Sequence, residues 1–512
     1  MEKATTSHSD AAFAFLQQRF ATHYNDIFFN DLAEKTVVVI PSLTLDPEIL
    51  RSIKGIVYYE ERLLCLLMLL RMPRTRVIFV TSVPVDDSIV DYYLHLLPGI
   101  TSYHARQRLT LLSCYDASRI SLTEKILRRP RLMQRIKELI KFPELSHMVC
   151  FNETIAEKKL GLELGIGVYG CDPSLYYLGT KSGSRRIFKQ LNLDVPAGVE
   201  DLHSEEEIAV ALAQLKKDNP QLRKAVVKMN DGFSGEGNAV YRYSEAVRDS
   251  DDLAQQIQAN LPKQLSIVAE GVSYPVFMEK YSSMGGIVEV FIEGAVKESP
   301  SVQCRINPLG VSEIISTHDQ LLGGESGQVF LGATFPANIE YTREIAETGK
   351  IIADELLKYG VLGRFGIDFI SVKEETGWKH YAIEINLRKG GTTHPFLMLE
   401  FLTGGQFNWK DGVYTMPNGQ TRCYFASDNV MSEKYKGLTP HDLIDIAHCN
   451  RIQYDGATQC GVMFHMIGAL SQYGKLGMVC IGKTIQEARA YFEKAIQVLD
   501  ANTQHQPDSI LV

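Results

Sequence analysis

Residues 363–395, GRFGIDFISVKEETGWKHYAIEINLRKGGTTHP, constrain this chain more than any other stretch. GIDFISV and HYAIEINL are β-type runs joined by the polar turn KEETGWK, so the pair reads as two facing strands. Side chains two apart on a strand share a face. Ile367, Phe369, Ile383 and Ile385 then supply a buried face. Glu384, Asn386 and Arg388 point the other way if the strand extends that far, and Asp368 on the facing strand meets them. Two carboxylates and an amide oxygen suit Mg²⁺ bound with phosphates, with Mn²⁺ as the alternative ion. The guanidinium suits an anion that gains charge during phosphoryl transfer. A solvated face of ion pairs is the competing explanation. The apolar opposite face and the glycines that follow argue against it.

A second signal lies upstream, in KAVVKMNDGFSGEGNAVYRY. AVVK and AVYRY read as strands around the loop DGFSGEG. Gly232, Gly235 and Gly237 carry no side-chain bulk, so backbone N–H groups there can approach phosphate oxygens. Lys228 places a positive charge at the end of the incoming strand. Taken alone, such a loop is equally a hairpin that binds nothing.

The surrounding chain is an ordinary globular one. Its 512 residues allow roughly three domains. The net charge of −8 argues against a general nucleic-acid binder, which needs a basic face, and leaves room for a local basic pocket. Nine cysteines without a CxxC pair read as reduced thiols in the cytoplasm. The first twenty residues have no long apolar core, so no secretory signal is expected. The run LLCLLMLL is too short to cross a membrane and reads as a buried helix. Residues 36–180 alternate TVVVIPS, TRVIFVTS and RLTLLS with helical stretches at 60–72, 86–97, 122–140 and 152–164. That alternation implies a mainly parallel α/β sheet. Asn152 is the expected N-cap of the last helix. From about 181 the chain turns to antiparallel strand pairs, and 406–512 ends in strand, turn, strand and a helix over 484–499.

In order, the chain carries LGTKSGSRRIF, DVPAG, VVKMNDGFSGEGN, VFMEKY with a following VEV, GIDFI and EINLRKGG. This order resembles the ATP-grasp superfamily, which includes biotin carboxylase and D-alanine–D-alanine ligase, over 181–405. The flanks, YGCDPSLYYLGTKS before and FASDNV and GVMFHMIGALSQYGKLG after, resemble the pheganomycin-type peptide ligases. The resemblance implies a multidomain α/β and α+β chain. A Rossmann-like pre-ATP-grasp domain would span 1–180, a two-lobed ATP-grasp domain 181–405 and a small C-terminal domain 406–512. It implies that Lys181 and Lys228 contact ATP phosphates, and that Glu279, Lys280 and Tyr281 form the hinge that reads adenine. Asp368, Glu384 and Asn386 would hold Mg²⁺, and Arg388 would steady an acyl phosphate. Asp368 stands where some relatives have Glu, which leaves the number of ions open. The loop at 321–328 would cover the acceptor side, with Gln303, Arg305 and Gln320 lining the pocket. The implied activity joins a small carboxylate to an amine or peptide, with ATP converted to ADP and phosphate. Neither nucleic acid nor membrane is an expected partner, and a homodimer is among the open oligomeric states. The alternatives are an ATP-grasp kinase or carboxylase and a regulatory nucleotide binder.

Two motifs are set aside. GMVCIGKT, residues 477–484, matches the P-loop pattern, but its middle residues are an apolar strand, and Thr484 with Glu487 makes a capping box. GIGVYG, residues 165–170, follows a helix where the dinucleotide fingerprint follows a strand. His465 in GVMFHMIG reads as a core histidine, the cysteines lack zinc spacing, and there is no GxSxG.

Overall fold

The computed structural model describes residues 2–45, 47–232, 237–244, 252–269, 271–323 and 329–503. Its first sheet has five parallel strands in the order Leu109–Ser113, Thr75–Thr81, Lys35–Ile40, Ser146–Cys150, Gly167–Val168. Alternate residues feed two separate cores. Val37, Val39, Val77 and Phe79 pack into one, and Val38, Ile40, Ile78 and Val80 into the other. A parallel sheet covered on both faces needs such unbroken apolar runs. LLCLLMLL lies within Ile56–Arg71, a buried 3₁₀ helix against the first core. The stretch expected as one helix over 122–140 is two, Leu122–Leu127 and Pro130–Leu139, with the break at Pro130. The helix expected from Asn152 is Ile155–Leu164, and its cap is Thr154 in a capping box with Glu157. Asn152 instead bonds the backbone of Thr44 in both directions, at 2.9 and 2.6 Å.

A second sheet is antiparallel, in the order Gly198–Leu202, Gly286–Val290, Lys224–Met229, Asn238–Arg242, Leu265–Ile267. Helices Glu205–Asp218, Leu253–Gln264 and Tyr274–Met284 supply its core. The third sheet has nine strands and runs from Lys297–Glu298 through Gly363–Glu374, Pro300–Ile306, Ser312–Gly323 and Val329–Phe335. It continues through Cys423–Met431 and Lys475–Gly482 to Gly461–His465, and Gly377–Asn386 pairs with Gly363–Glu374 as the sheet's remaining strand. Helix Thr342–Lys358 packs on one part of it and helix Ile485–Thr503 on another. The parallel sheet, the two antiparallel sheets and the closing strand–strand–helix agree with the expected fold class. Among the described residues no helix is long and apolar enough to cross a membrane.

Candidate nucleotide and metal site

Between the second and third sheets lies a cavity of about 660 Å³. One wall begins at helix Lys181–Gln190, where the Thr180 hydroxyl caps the N–H of Gly183 at 3.0 Å. Asn230 ties this helix start to the glycine loop. Its carbonyl accepts the N–H of Lys181 and its side-chain oxygen accepts that of Ser182, at 3.1 and 2.9 Å. Gly232 and Gly237 line the cavity beside it, and Gly235 lies outside the described residues. Lys228 also lines it, with Nζ 2.5 Å from Glu289 Oε1. The other oxygen of Glu289 accepts from Arg185 at 2.7 Å. Glu289 is buried, so its two cationic neighbours are what keep an ionised carboxylate acceptable there.

The opposite wall is the strand pair 363–374 and 377–386. Asp368 stands directly across from Glu384. Gln320 donates to Asp368 Oδ1 at 2.7 Å and Asn386 Nδ2 donates to Oδ2 at 2.8 Å, while Lys181 pairs with Glu384. Burial, then the charge of Glu384, pushes the Asp368 carboxyl up to about 6. Two carboxylates facing each other under this mutual repulsion, with an amide beside them, are a donor set that a divalent cation relieves. The residues therefore fit Mg²⁺. The regular strand ends at Asn386, yet Arg388 still lines the cavity.

Several expected placements change. Glu279, Lys280 and Tyr281, expected as the hinge, sit on helix Tyr274–Met284, and none lines the cavity. Tyr281 is spent on packing, fully buried in the core of the second sheet. The segment that leaves this sheet along the cavity is Glu289, Val290, Phe291 and Ile292, built on the VEV that follows VFMEKY. Ile383 is not on the hydrophobic side of its strand. A bulge between Asp368 and Phe369 puts Ala382 opposite Phe369, so Ala382 enters the core and Ile383 turns to the cavity. Gln303, Gln320, Leu321 and Leu322 line the cavity as expected, but Arg305 pairs with Glu313 at 2.7 Å outside it. Residues 324–328 of the covering loop lie outside the described residues.

The far end of the cavity comes from parts of the chain to which the sequence reading gave no role in the site. Arg62 stacks on the rings of Phe151 and Tyr59, 4.3 and 4.7 Å from their centres. Asp428 and Asn429 close that end. Arg62 directly precedes the apolar run LLCLLMLL, and nothing local in sequence marks it as part of the cavity.

This two-sheet clamp around glycines, lysines and paired carboxylates falls within the part of the chain that matches an ATP-grasp family model. Residues 174–267 and 250–410 match the family described as IQCH-like, ATP-grasp, and 442–494 match the PGM1 C-terminal domain. L-propargylglycine–L-glutamate ligase of Streptantibioticus cattleyicolor is 28% identical over 475 residues, covering 91% of this chain and 94% of that protein. IQ motif-containing protein H of Danio rerio is 21% identical over 516 residues, covering 91% of this chain but 48% of that longer protein. Among solved structures, biotin carboxylase of Campylobacter jejuni aligns with a TM-score of 0.55 at 14% identity, over 91% of each chain. The biotin carboxylase domain of Hydrogenobacter thermophilus 2-oxoglutarate carboxylase, solved with MgADP, ADP and bicarbonate, aligns with a TM-score of 0.53 at 12% identity, over 91% of this chain and 89% of that one.

Proposed function

We propose that the chain is an ATP-dependent carboxylate–amine ligase of the peptide-forming kind, working through an acyl phosphate. The observation that carries this is the convergence of Lys181, Lys228, Asp368, Glu384, Asn386 and Arg388 on one cavity. The chemistry of each side chain sets its role. Lys181 and Lys228 turn from their carboxylate partners, Glu384 and Glu289, to the phosphates of ATP. Charge-assisted contacts to phosphate are stronger than neutral ones. Asp368, Glu384 and Asn386 hold Mg²⁺, which offsets negative charge on the phosphates when bound. The adenine lies along 289–292. Arg388 faces the carboxylate that receives the γ-phosphoryl group and stabilises the charge that develops. The substrate amine then attacks the acyl carbon, phosphate leaves, and an amide forms.

The far end of the cavity, with Arg62, Phe151, Asp428 and Asn429, is where we place the amine-bearing partner. On this reading 1–180 and 406–512 complete the acceptor side and 181–405 binds the nucleotide. The ligase from Streptantibioticus, similar along nearly its whole length, supports amino acids as both partners.

Hydroxylamine tests the reaction without the natural amine. With ATP, Mg²⁺ and a panel of amino acids, L-glutamate among them, the protein should release ADP and give a hydroxamate from at least one acid. Oxygen-18 in that carboxylate should appear in the phosphate. A kinase or a regulatory binder gives no hydroxamate. Amide formation with release of AMP and pyrophosphate would mean an adenylate and would overturn the acyl-phosphate reading.

A further inference from the structure

At the Asp428 end of the cavity, three side chains from separate elements converge. His394 lies in helix Thr393–Thr403, Asp428 in strand Cys423–Met431, and His465 ends strand Gly461–His465. Asp428 Oδ1 is 2.8 Å from His465 Nε2 and 3.2 Å from His394 Nε2, and the two Nε2 atoms are 3.0 Å apart. All three residues are buried. The imidazole planes cross at 69° with centroids 4.4 Å apart.

Hydrogen bonding alone accounts poorly for this triangle. Protons on both Nε2 atoms would point at one oxygen from two corners of a near-equilateral triangle and press against each other. Protons on both Nδ1 atoms would leave two nitrogen lone pairs facing a carboxylate oxygen. A mixed pair of tautomers keeps one such lone pair. In each case the Nδ1 atoms are buried with no hydrogen-bond partner. A cation over the triangle removes the lone-pair conflict and leaves only the two Nδ1–H groups unmatched. The dimensions also fit an ion. Bonds of ~2.1 Å to imidazole nitrogen and carboxylate oxygen, arranged as one face of an octahedron, give edges of ~3.0 Å.

The surroundings hold the same arrangement. A Cβ at Gly477 would lie 1.9 Å from His465 Nε2, so only glycine there leaves the ring its place. Arg62 Nη1 sits 3.5 Å from the other oxygen of Asp428, which keeps Oδ1 turned to the histidines. Asp428 lines the cavity, so the open side of an ion at this triangle is reachable from it.

We propose that His394, Asp428 and His465 form a second metal site, separate from the Mg²⁺ patch. It takes one divalent first-row transition ion on a two-histidine, one-carboxylate face. Imidazole ligands select such ions over Mg²⁺ and Ca²⁺. Asp428 also lines the cavity, and the remaining coordination positions would suit an anionic group of a ligand that reaches the ion from there.

The test needs no substrate, so it is independent of amide formation. Full-length protein is stripped with a chelator, dialysed, and titrated with Co²⁺ or Zn²⁺ against a chromophoric chelator. One equivalent should bind, and Co²⁺ should show visible d–d bands without thiolate charge transfer. His465→Ala and Asp428→Asn should each weaken binding by more than about tenfold. Zn²⁺ should raise the Tm of the parent and not of these variants. If the alanine variant loses cooperative unfolding, His394→Gln and His465→Gln decide the matter. Glu384→Gln, in the Mg²⁺ patch, should bind Co²⁺ as the parent does. The proposal is overturned if no equivalent of Co²⁺ or Zn²⁺ is held. It is equally overturned if folded histidine variants bind as the parent does, or if Glu384→Gln removes the signal.

Discussion

Among the described residues Lys228 is held at the cavity wall by Glu289, which Arg185 also engages. Removing the lysine leaves Glu289 with Arg185 and, on the proposed reading, costs the nucleotide a phosphate contact. Lys228→Ala should therefore bind ATP more weakly and lose about 10²–10³-fold in kcat, on the scale of one lost charge-stabilising donor. Steady-state kinetics and nucleotide titration check this, and unchanged kinetics would remove Lys228 from the site. Glu384 stands across from Asp368. Glu384→Gln should abolish Mg²⁺-dependent turnover while the Tm of the free protein moves little, because the relief of the repulsion that lifts Asp368 is set against the loss of Lys181's ion-pair partner. Activity that persists with no divalent cation would contradict the metal role. These residues were legible in sequence because strand periodicity alone aligns them. The placement of VFMEKY was not. It has polar residues in a suggestive order, but helical spacing turns the Phe277 and Tyr281 side chains into the core of the second sheet.

At the scale of elements, the apparent P-loop is a strand end and a helix cap. Lys475–Gly482 is buried throughout, the N–H of Lys483 bonds Glu487 at 2.7 Å, and Thr484 accepts the N–H of Glu487 at 3.1 Å. Lys483→Ala should leave ATP affinity unchanged, whereas Thr484→Ala should cost about 1 kcal/mol of stability. Calorimetric binding and denaturant titration separate the two. The 3₁₀ helix Ile56–Arg71 carries a different consequence. Burial lifts the Glu60 carboxyl to about 7 and that of Glu61 to about 8, against an ordinary value of 4.5. The folded chain then keeps protons that the unfolded chain has released. Stability is greatest below the ordinary value and is lost as pH rises through 7 to 8. The double variant Glu60→Gln, Glu61→Gln should flatten that slope, read as the denaturant midpoint across this range. An unaltered slope would assign the pH dependence to other groups. Sequence marked this helix as buried because its apolar run is dense. It did not show that the two glutamates go inside with it, since their partners, Ser82 and Gly468, are far along the chain.

For the whole molecule, the third sheet ignores the expected division near 405. Strand Val329–Phe335 pairs with Cys423–Met431, and Phe335, Tyr424, Met478 and Leu499 share one core with Val37 and Phe79 of the first sheet. Truncation after residue 405 would bare the edge of Val329–Phe335 and that core, and unpaired edges drive association. The truncated chain should be insoluble or should unfold without a cooperative transition, as judged by size-exclusion chromatography and thermal melts. A soluble fragment that binds ATP would show that the C-terminal part is dispensable to the fold. By itself the sequence determined most strand and helix types and the carboxylate patch. Each depends on a period of two or on residues within a few positions of one another. Only the tertiary structure decided what closes the far end of the cavity. Arg62 reaches Asp428 across 366 residues of chain and His394 meets His465 across 71, and contacts at such separations are set by how the sheets pack, which no local pattern encodes.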